Sequence, residues 1–327
     1  FLVRQLVAPG VVEGKTLLPS SMYFPAGSEI PEGSTALPWD AGREHVVGYL
    51  ARQLGARIPS RLVHSAKSWL CHADVDRRGP ILPWAAPEDV PHLSPVQASA
   101  EYLDHIRESW NAHPGRDAKD RLEQQEIYLT VPASFDAVAR QLTMEAAREA
   151  GLTNVTLLEE PQAAFYCWIG TNPSGWRQSL GPGRTVLICD IGGGTTDFTL
   201  ILLDDASRKE PSPERVAVGD HLLLGGDNMD LSLAHILEPR LVGKKKLSAF
   251  EWSALTHACR EAKEELLRRA KLESMPVSIL GQSSKVVGGS LSTKLTREEL
   301  TSTILDGFFP FCKPADMPAT ESAGLTE

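Results

Sequence analysis

The sequence lacks the features that mark membrane and nucleic-acid proteins. It contains no apolar run near the roughly 20 residues that a bilayer-spanning helix needs, and residues 1–4 do not have a signal-peptide layout. Acidic residues outnumber basic ones, and the net charge is −9. The basic clusters at residues 244–246 and 268–269 are short, as expected for solvated helix ends or turns. We therefore expect neither a membrane nor a nucleic acid to be the main partner.

Cysteine is also scarce, and no Cys-x-x-Cys pair occurs. The five cysteines are odd in number and widely spaced along the chain: Cys71, Cys167, Cys189, Cys259 and Cys312. This pattern favours reduced thiols, and hence a cytoplasmic location, over a disulfide framework or a metal site. The chain does not begin with Met, and residues 314–327 end without a closing element, so we interpret it as a segment of a longer polypeptide.

A glycine-rich turn between two apolar runs carries the strongest chemical signal. Residues 185–189 and 198–203 predict two strands, and the turn joining them is rich in glycine, threonine and aspartate. Backbone N–H groups in such a turn form a concavity for an anion, and carboxylates beside bound phosphate indicate hydrated Mg²⁺. The residues concerned are Asp190, Gly192, Gly193, Gly194, Thr195, Thr196 and Asp197. The sequence therefore predicts nucleotide chemistry at this turn.

Other glycine-loop interpretations fail on spacing. A Walker loop needs Gly-Lys-Ser/Thr before a helix, whereas a strand follows this turn. A dinucleotide-binding loop needs a further glycine where Asp197 stands. A plain hairpin with a glycine-rich turn stays open as an alternative.

The rest of the chain alternates between predicted strands and helices, which indicates an α/β fold. Apolar spacing predicts helices over 95–111, 135–150 and 251–272, the second with Val138, Leu142 and Ala146 on its buried face. The third has Trp252, Leu255, Cys259, Ala262 and Leu266 in its buried stripe, with Arg260, Lys263 and Glu264 facing elsewhere. Strands are expected at 126–131 and 155–159, and residues 171–183 form the best candidate for a junction between lobes.

Four further residues are candidates for ligand contacts. Glu160 ends a strand and opens a helix, where α/β sheets place functional groups, although a capping role is equally open. Gly225 and Gly226 precede a helix that runs to about residue 241, and a helix N-terminus suits an anion. Lys67 follows a predicted strand, and a solvated surface lysine is its ordinary interpretation. A second glycine pair at 288–289 is better explained as a hairpin turn.

Taken in order, several motifs resemble those of the nucleotide-binding domain of DnaK-like seventy-kilodalton heat-shock chaperones, members of the actin-like ATPase superfamily. Asp-Ile-Gly-Gly-Gly-Thr-Thr-Asp at 190–197 is similar to the family's second phosphate motif, and Ser-Ala-Lys-Ser-Trp-Leu at 65–70 to its catalytic-lysine stretch. Residues 130–135 with Arg140 resemble its proline and arginine relay. Leu-Glu-Glu-Pro-Gln-Ala-Ala at 158–164 and Leu-Gly-Gly-Asp-Asn-Met-Asp at 224–230 resemble two further motifs.

The resemblance implies a two-lobed α/β fold of the actin-like, ribonuclease H-like type, with mixed sheets flanked by helices. It implies lobes at 1–182 and 183–327, with upper subdomains at 20–95 and 227–305. ATP or ADP with Mg²⁺ would be the cofactors. The implied partners are a peptide-binding domain in the same polypeptide, a J-type co-chaperone and a nucleotide exchange factor.

The resemblance also assigns roles to individual residues. Catalysis would involve Lys67, Glu160, Asp190 and Thr195, and Mg²⁺ would be held by Asp190, Asp197 and, through water, Glu160. Nucleotide contacts would come from Gly192, Gly193, Gly194, Thr196, Gly225, Gly226, Asp227, Arg260 and Lys263. Pro132 and Arg140 would relay the nucleotide state to a partner domain.

The chain also departs from the family pattern. The first phosphate motif, the adenosine motif and the peptide-binding domain are not found in these 327 residues. Arg260 replaces a usual acid and Leu267 a usual serine, which favours altered ribose recognition. Two alternatives to a chaperone ATPase therefore stay open: an actin-like filament-forming ATPase, and a nucleotide-sensing scaffold without turnover.

Overall fold

The computed structural model describes residues 1–72, 75–84, 86, 88–173, 175–180, 183–203, 213–219, 222, 224–281 and 290–316. By its contacts the chain forms two compact units. The first comprises Phe1–Gly55, Ser60–Ile191 and Thr195–Leu222, and the second comprises Ala56–Pro59, Gly192–Gly194 and Leu223–Glu327. The lobes at 1–182 and 183–327, with their upper subdomains, are a different division and stay a prediction.

The first unit begins with a hairpin, β1 (Val3–Ala8) and β2 (Val11–Lys15), whose turn contains Gly10 at a φ of +71°. A three-stranded antiparallel sheet follows, in the order β4-β3-β5. Its strands and the helices beside it are β3 (Ser21–Tyr23), β4 (Val46–Val47), α1 (Tyr49–Gly55), β5 (Leu62–His64) and α2 (Ala66–Cys71). Met22, Val47 and Val63 are buried in the centre of this layer.

Helix α3 (Pro95–Asn111) has the bounds that its sequence predicts. Ser94 Oγ accepts a hydrogen bond from Gln97 N at 3.1 Å, and Gln97 Oε1 accepts one from Ser94 N at 2.9 Å, while Pro95 fits the first helical position. The helix also holds the outer edge of β1, because Arg4 N donates to Ser109 Oγ at 2.8 Å. His105 Nε2 donates to Arg4 O at 3.0 Å.

The loop before β4 is attached to α3 through a buried arginine. Arg43 Nη2 lies 2.6 Å from Glu108 Oε2, and Trp39 Nε1 donates to the same carboxylate oxygen at 3.0 Å. Arg43 Nη1 also faces the Nδ1 atom of His105 at 3.5 Å. Every member of this polar cluster has a hydrogen-bond or ion-pair partner. The cluster can therefore join the loop to the helix although it is buried.

A parallel pair, β6 (Ile127–Val131) and β7 (Val155–Glu159), is connected by α4 (Ala137–Glu149) and followed by α5 (Glu160–Thr171) and α6 (Trp176–Ser179). The prediction that Val138 lies on the buried face of α4 is wrong, because its side chain is 52% exposed. The buried face instead contains Ala139, Leu142, Thr143, Ala146 and Ala147. Asp136 caps the helix through Ala139 N, and the small residues allow α4 to pack closely against α3.

The predicted glycine hairpin is confirmed by β8 (Thr185–Ile191) and β9 (Thr196–Leu203), which pair antiparallel. Strand β10 (Pro213–Val218) pairs with the other edge of β9, with a register shift between Arg215 and Ala217. Helix α5 packs one face of this sheet through Phe165, which contacts Ile201 and Leu203 in a buried cluster.

The second unit packs α7 (Gly226–Val242) and α8 (Ala249–Arg268) on an antiparallel pair, β11 (Ser274–Leu280) and β12 (Ser290–Thr296). Helix α9 (Arg297–Thr301) and a π-helical turn (Ser302–Asp306) follow. The buried stripe predicted for α8 is confirmed at Leu255, Cys259, Ala262 and Leu266, and Trp252 is partly buried against the same cluster. The helix begins and ends earlier than the predicted 251–272, because Ser248 caps its start and Arg269 already has an extended conformation. The turn predicted at 288–289 lies outside the described residues.

The α/β class with mixed sheets and flanking helices is therefore confirmed. Across the described ranges, the structure contains no helix that combines the length and apolarity needed to cross a bilayer.

Candidate functional site

Lys67 and Glu160 lie together, although 93 residues separate them in sequence. Lys67 Nζ is 2.5 Å from Glu160 Oε1, with side-chain exposures of 54% and 21%. Ser65 turns the chain between β5 and α2 at a φ of 56°, a left-handed conformation rare for a residue other than glycine. Lys67 therefore lies in the first turn of α2, and Glu160 is the first residue of α5. The pair combines a cation and a carboxylate that a ligand can reach.

Asp190 and Asp197 occupy directly opposite positions in the β8–β9 ladder. Asp197 is buried and Asp190 is half-buried. Like charges at opposite ladder positions destabilise a sheet, so a cation beside them would relieve the repulsion. In the part of the chain that the structure describes, no cluster of three or more His, Cys, Asp or Glu residues is arranged to hold a metal. Two carboxylates suit Mg²⁺, which retains most of its water ligands.

Thr195 lies in the turn of the hairpin, and Thr196 begins β9. Thr196 N donates to Leu222 O at 2.9 Å, and Leu222 N donates to Thr196 O at 3.3 Å. These bonds fix the segment after β10 beside the start of β9. Thr196, the second residue after the glycines, is therefore held between Ile191 of β8 and Leu222.

In the second unit, the glycine turn packs directly on the N-terminus of α7. A Cβ atom on Gly225 would lie 2.6 Å from Gly193 O and 2.7 Å from Gly192 O, so no side chain fits there. Gly226 N donates to Gly192 O at 3.1 Å, and Asp227 N donates to Gly193 O at 2.7 Å. Because these amides already have acceptors, a phosphate near this helix end would need other donors.

Two cationic side chains of α8 reach that helix end. Lys263 Nζ donates to Gly226 O at 3.0 Å and lies 2.7 Å from Asp230 Oδ1. Arg260 Nε lies 3.1 Å from Asp230 Oδ2, and its Nη2 pairs with Asp227. Lys263 lies off the apolar stripe of α8, as predicted, but it is buried rather than solvated.

Sequence reasoning did not identify Asp230, which is only 2% exposed. Burial raises the pKa of its carboxyl group, and Lys263 and Arg260 oppose that rise. A possible signal was the spacing of Asp227 and Asp230, which places both on the face of α7 that meets α8. Leu267, in contrast, is exposed.

The two residues of the predicted relay both belong to the first unit. Pro132 follows β6, and Arg140 lies in the first turns of α4. Arg140 Nε donates to Phe135 O at 3.1 Å, and its Nη2 donates to Ala133 O at 3.4 Å. Nη2 also donates to Glu159 Oε1 at 3.0 Å. Arg140 therefore fixes the segment after Pro132 to the end of β7.

The structure thus groups the predicted residues in sets. Lys67 with Glu160, the two aspartates of the hairpin, and Pro132 with Arg140 belong to the first unit. The second unit contains the set formed by Gly192, Gly193, Gly194, Gly225, Gly226, Asp227, Arg260 and Lys263. Each set lies at the end of a strand or the start of a helix, where ligand groups are commonly bound.

Comparison with known proteins gives a consistent result. A sequence model of the family described as Hsp70 protein matches residues 39–317. The chain is 30% identical over 304 residues to a chaperone protein HscA homolog from Vibrio cholerae, covering 89% of this chain and 42% of that protein. It is 29% identical over 307 residues to the chaperone protein HscA from Pectobacterium carotovorum, with the same coverage.

A plant relative also matches. The rice heat shock 70 kDa protein BIP3 is 31% identical over 208 residues, which are 58% of this chain and 28% of that protein. The chain spans less than half the length of these relatives. The family match nevertheless covers most of its residues, and the chain belongs to the Hsp70 family.

Proposed function

We propose that this chain is the ATP-binding and ATP-hydrolysing part of a DnaK-like chaperone, in which the nucleotide state is coupled to client binding by a partner domain. The observation that carries the proposal is the ion pair of Lys67 and Glu160. Two helix N-terminal turns, far apart in sequence, place a lysine and a carboxylate 2.5 Å from each other. Phosphoryl transfer depends on charges placed in this way, because positioning and electrostatic stabilisation supply most of its catalysis.

In this proposal Lys67 stabilises the charge that develops on the γ-phosphate, and Glu160 orients the attacking water. Asp190, Asp197 and, through water, Glu160 hold Mg²⁺, which supplies charge neutralisation at the phosphates when bound. Thr195, Thr196 and the amides of the glycine turn line the phosphate path. The opposed carboxylates of the hairpin support this assignment, since they fit a cation that retains its waters.

Nucleotide recognition is assigned to the second unit. Lys263 and Arg260 are cations at the N-terminal end of α7, beside Gly225, Gly226 and Asp227. Their present carboxylate partners make them exchangeable donors, because a phosphate or ribose oxygen can replace a carboxylate oxygen.

Partner interactions complete the proposal. Pro132 and Arg140 relay the nucleotide state to a peptide-binding domain in the same polypeptide. A J-type co-chaperone and a nucleotide exchange factor act on the domain, and the protein is cytoplasmic. The family assignment favours this interpretation over an actin-like filament.

The test is Lys67→Ala in the full-length protein, with Lys15→Ala as the matched control. Lys15 is also an exposed lysine paired with a glutamate of the first unit, Glu13, but it lies on the β1–β2 hairpin. Single-turnover hydrolysis should fall by about 10² to 10³ in Lys67→Ala, as for the loss of one preorganised charge. The dissociation constant for ATP, measured by calorimetry, should change little.

Lys15→Ala should hydrolyse ATP at the wild-type rate. Wild-type hydrolysis in Lys67→Ala would contradict the catalytic role of the lysine.

A nucleotide-sensing scaffold without turnover is the second candidate, because Arg260 is bound to two carboxylates, Asp227 and Asp230. A full-length wild-type protein that binds ATP with Mg²⁺ and releases no phosphate would support it.

A further inference from the structure

Glu159, next to Glu160, is a carboxylate with an unusual environment. Its Oε1 atom accepts a hydrogen bond from Arg140 Nη2 at 3.0 Å and also pairs with Arg215 Nη1. Its Oε2 atom is buried and has no hydrogen-bond partner among the described residues. Only 15% of the side chain is exposed. A buried carboxylate is costly unless it is paired, so the two arginines are what allow Glu159 to stay in this position.

The three charged residues come from three separate elements. Glu159 ends β7, Arg140 lies near the start of α4, and Arg215 lies on β10. Arg140 is itself fixed by two backbone carbonyl groups in the turn before α4. The carboxylate therefore joins the β7 end to a rigid turn on one side and to a strand on the other.

Because Glu159 and Glu160 are adjacent in the chain, the ion pairs that hold Glu159 also restrict the position of Glu160 in the Lys67–Glu160 pair. Glu159 is the N-cap of α5 and Glu160 its first helical residue, so few backbone dihedrals separate the two carboxylates. Positional errors near 1 Å at a reacting group can cost about 10²-fold in rate.

Strand β10 carries one of the two arginines that hold Glu159. It is at one end of the sheet order β10-β9-β8, and its register with β9 shifts next to Arg215. Register shifts of this kind bend a strand and redirect its side chains. A displacement of β10 therefore changes the position of the Arg215 guanidinium relative to Glu159.

We propose that Glu159 is a positioning residue for Glu160, and that its ion pair with Arg215 couples the Lys67–Glu160 pair to the position of strand β10. This inference rests on the proposed ATPase function for its kinetic consequence, but its structural consequence does not require turnover. Arg215 and Glu159 have no contact with the reacting phosphate in this account. They act by fixing the first turn of α5.

The experiment compares Arg215→Gln, Glu159→Gln and the double variant with the wild type in the full-length protein. The control is Arg78→Gln, which removes an exposed arginine paired with Glu145 elsewhere in the first unit. Single-turnover hydrolysis should fall about tenfold in each single variant, while the dissociation constant for ATP changes less than twofold. The double variant should be no slower than the slower single variant, since both remove one link.

A second readout is independent of hydrolysis. Hydrogen exchange of the amides at 163–166, the first that the helical bonds of α5 protect, should accelerate several-fold without nucleotide in Arg215→Gln and Glu159→Gln. Arg215→Lys keeps the charge and should restore most of the protection. Arg78→Gln should leave both the exchange and the hydrolysis unchanged.

The outcomes separate this inference from the proposed function. Unchanged exchange at 163–166 in both single variants would overturn the inference, whatever the wild-type rate. Accelerated exchange in a protein whose wild type does not hydrolyse ATP would uphold the link to β10 and refute the ATPase assignment. If exchange accelerates while hydrolysis and ATP affinity fall together, as in a loss of folding, the positioning role is wrong.

Discussion

Acidification should destabilise this protein through His105, which is buried between α3, β1 and the loop that contains Arg43. Burial lowers the pKa of the imidazole from 6.5 to about 4, and Arg43 adds to the effect, while the bond to Arg4 O opposes it. Above pH 6.5 the ring is neutral in the folded and unfolded states, so His105 does not affect stability. As the pH falls below 6.5, only the unfolded state binds the proton, and stability declines until about pH 4.

The magnitude follows from the pKa difference of about 2.5 pH units. At about 1.36 kcal/mol per unit, the loss is roughly 3 kcal/mol at pH 4 and about 2 kcal/mol at pH 5. His105→Gln removes the titration and keeps an N–H donor for Arg4 O. Urea unfolding at pH 7 and pH 5 should therefore show about 2 kcal/mol less acid destabilisation in His105→Gln than in the wild type.

The control is His113→Gln, which replaces an exposed histidine in the loop after α3. Its acid destabilisation should match that of the wild type. Equal pH dependence in the wild type and His105→Gln would refute the reasoning, since it would mean that the buried imidazole has the same proton affinity in both states.

Three further predictions concern the second unit and the glycine turn. Gly225→Ala should lower the free energy of unfolding by about 1 to 3 kcal/mol, because its Cβ meets the backbone of the turn. In the control Gly27→Ala the new Cβ has open space, so the free energy of unfolding should change by no more than about 0.5 kcal/mol. Equal melting temperatures of the two variants would contradict this prediction. Lys263→Met should cost about 3 kcal/mol by leaving Asp230 buried with one cation fewer, and adding Asp230→Leu should recover most of it in the same urea assay. Arg260→Gln should change the dissociation constant for ATP at least tenfold, because a charged hydrogen bond is worth about 1.5 to 3 kcal/mol. Unchanged dissociation constants by calorimetry would show that Arg260 does not face the nucleotide.

The parts of the fold that the sequence predicted are those with local signals. Helix α3 was predictable because Pro95 and an apolar spacing of three and four mark its start and its buried face. The β8–β9 hairpin was predictable because three glycines separate two strand-like runs. The position of Glu160 followed from a strand that ends beside a proline suited to a first helical turn.

The parts that it did not predict depend on contacts between distant segments. In α4, the spacing of Val138, Leu142 and Ala146 is helical, and Leu142 and Ala146 do pack on α3. Ala139, one position after Val138, packs instead with Val131 and Phe135, and Val138 is exposed. Asp230 and Glu159 are ordinary acidic residues in sequence. Their burial is decided by cations 33 and 56 positions away, Lys263 and Arg215, which no local pattern reveals.

The attachment of β1 to α3 has a consequence for biosynthesis. Arg4 finds its partners, His105 and Ser109, 101 and 105 residues later in the chain. At roughly 5 to 20 residues per second, a ribosome needs on the order of 5 to 20 seconds to deliver them. During that interval the outer edge of the first hairpin has neither acceptor nor donor from α3, and an exposed strand edge can pair with other chains. A nascent chain of this protein should therefore be most prone to aggregation before α3 emerges, and slower elongation between β2 and α3 should lower its yield.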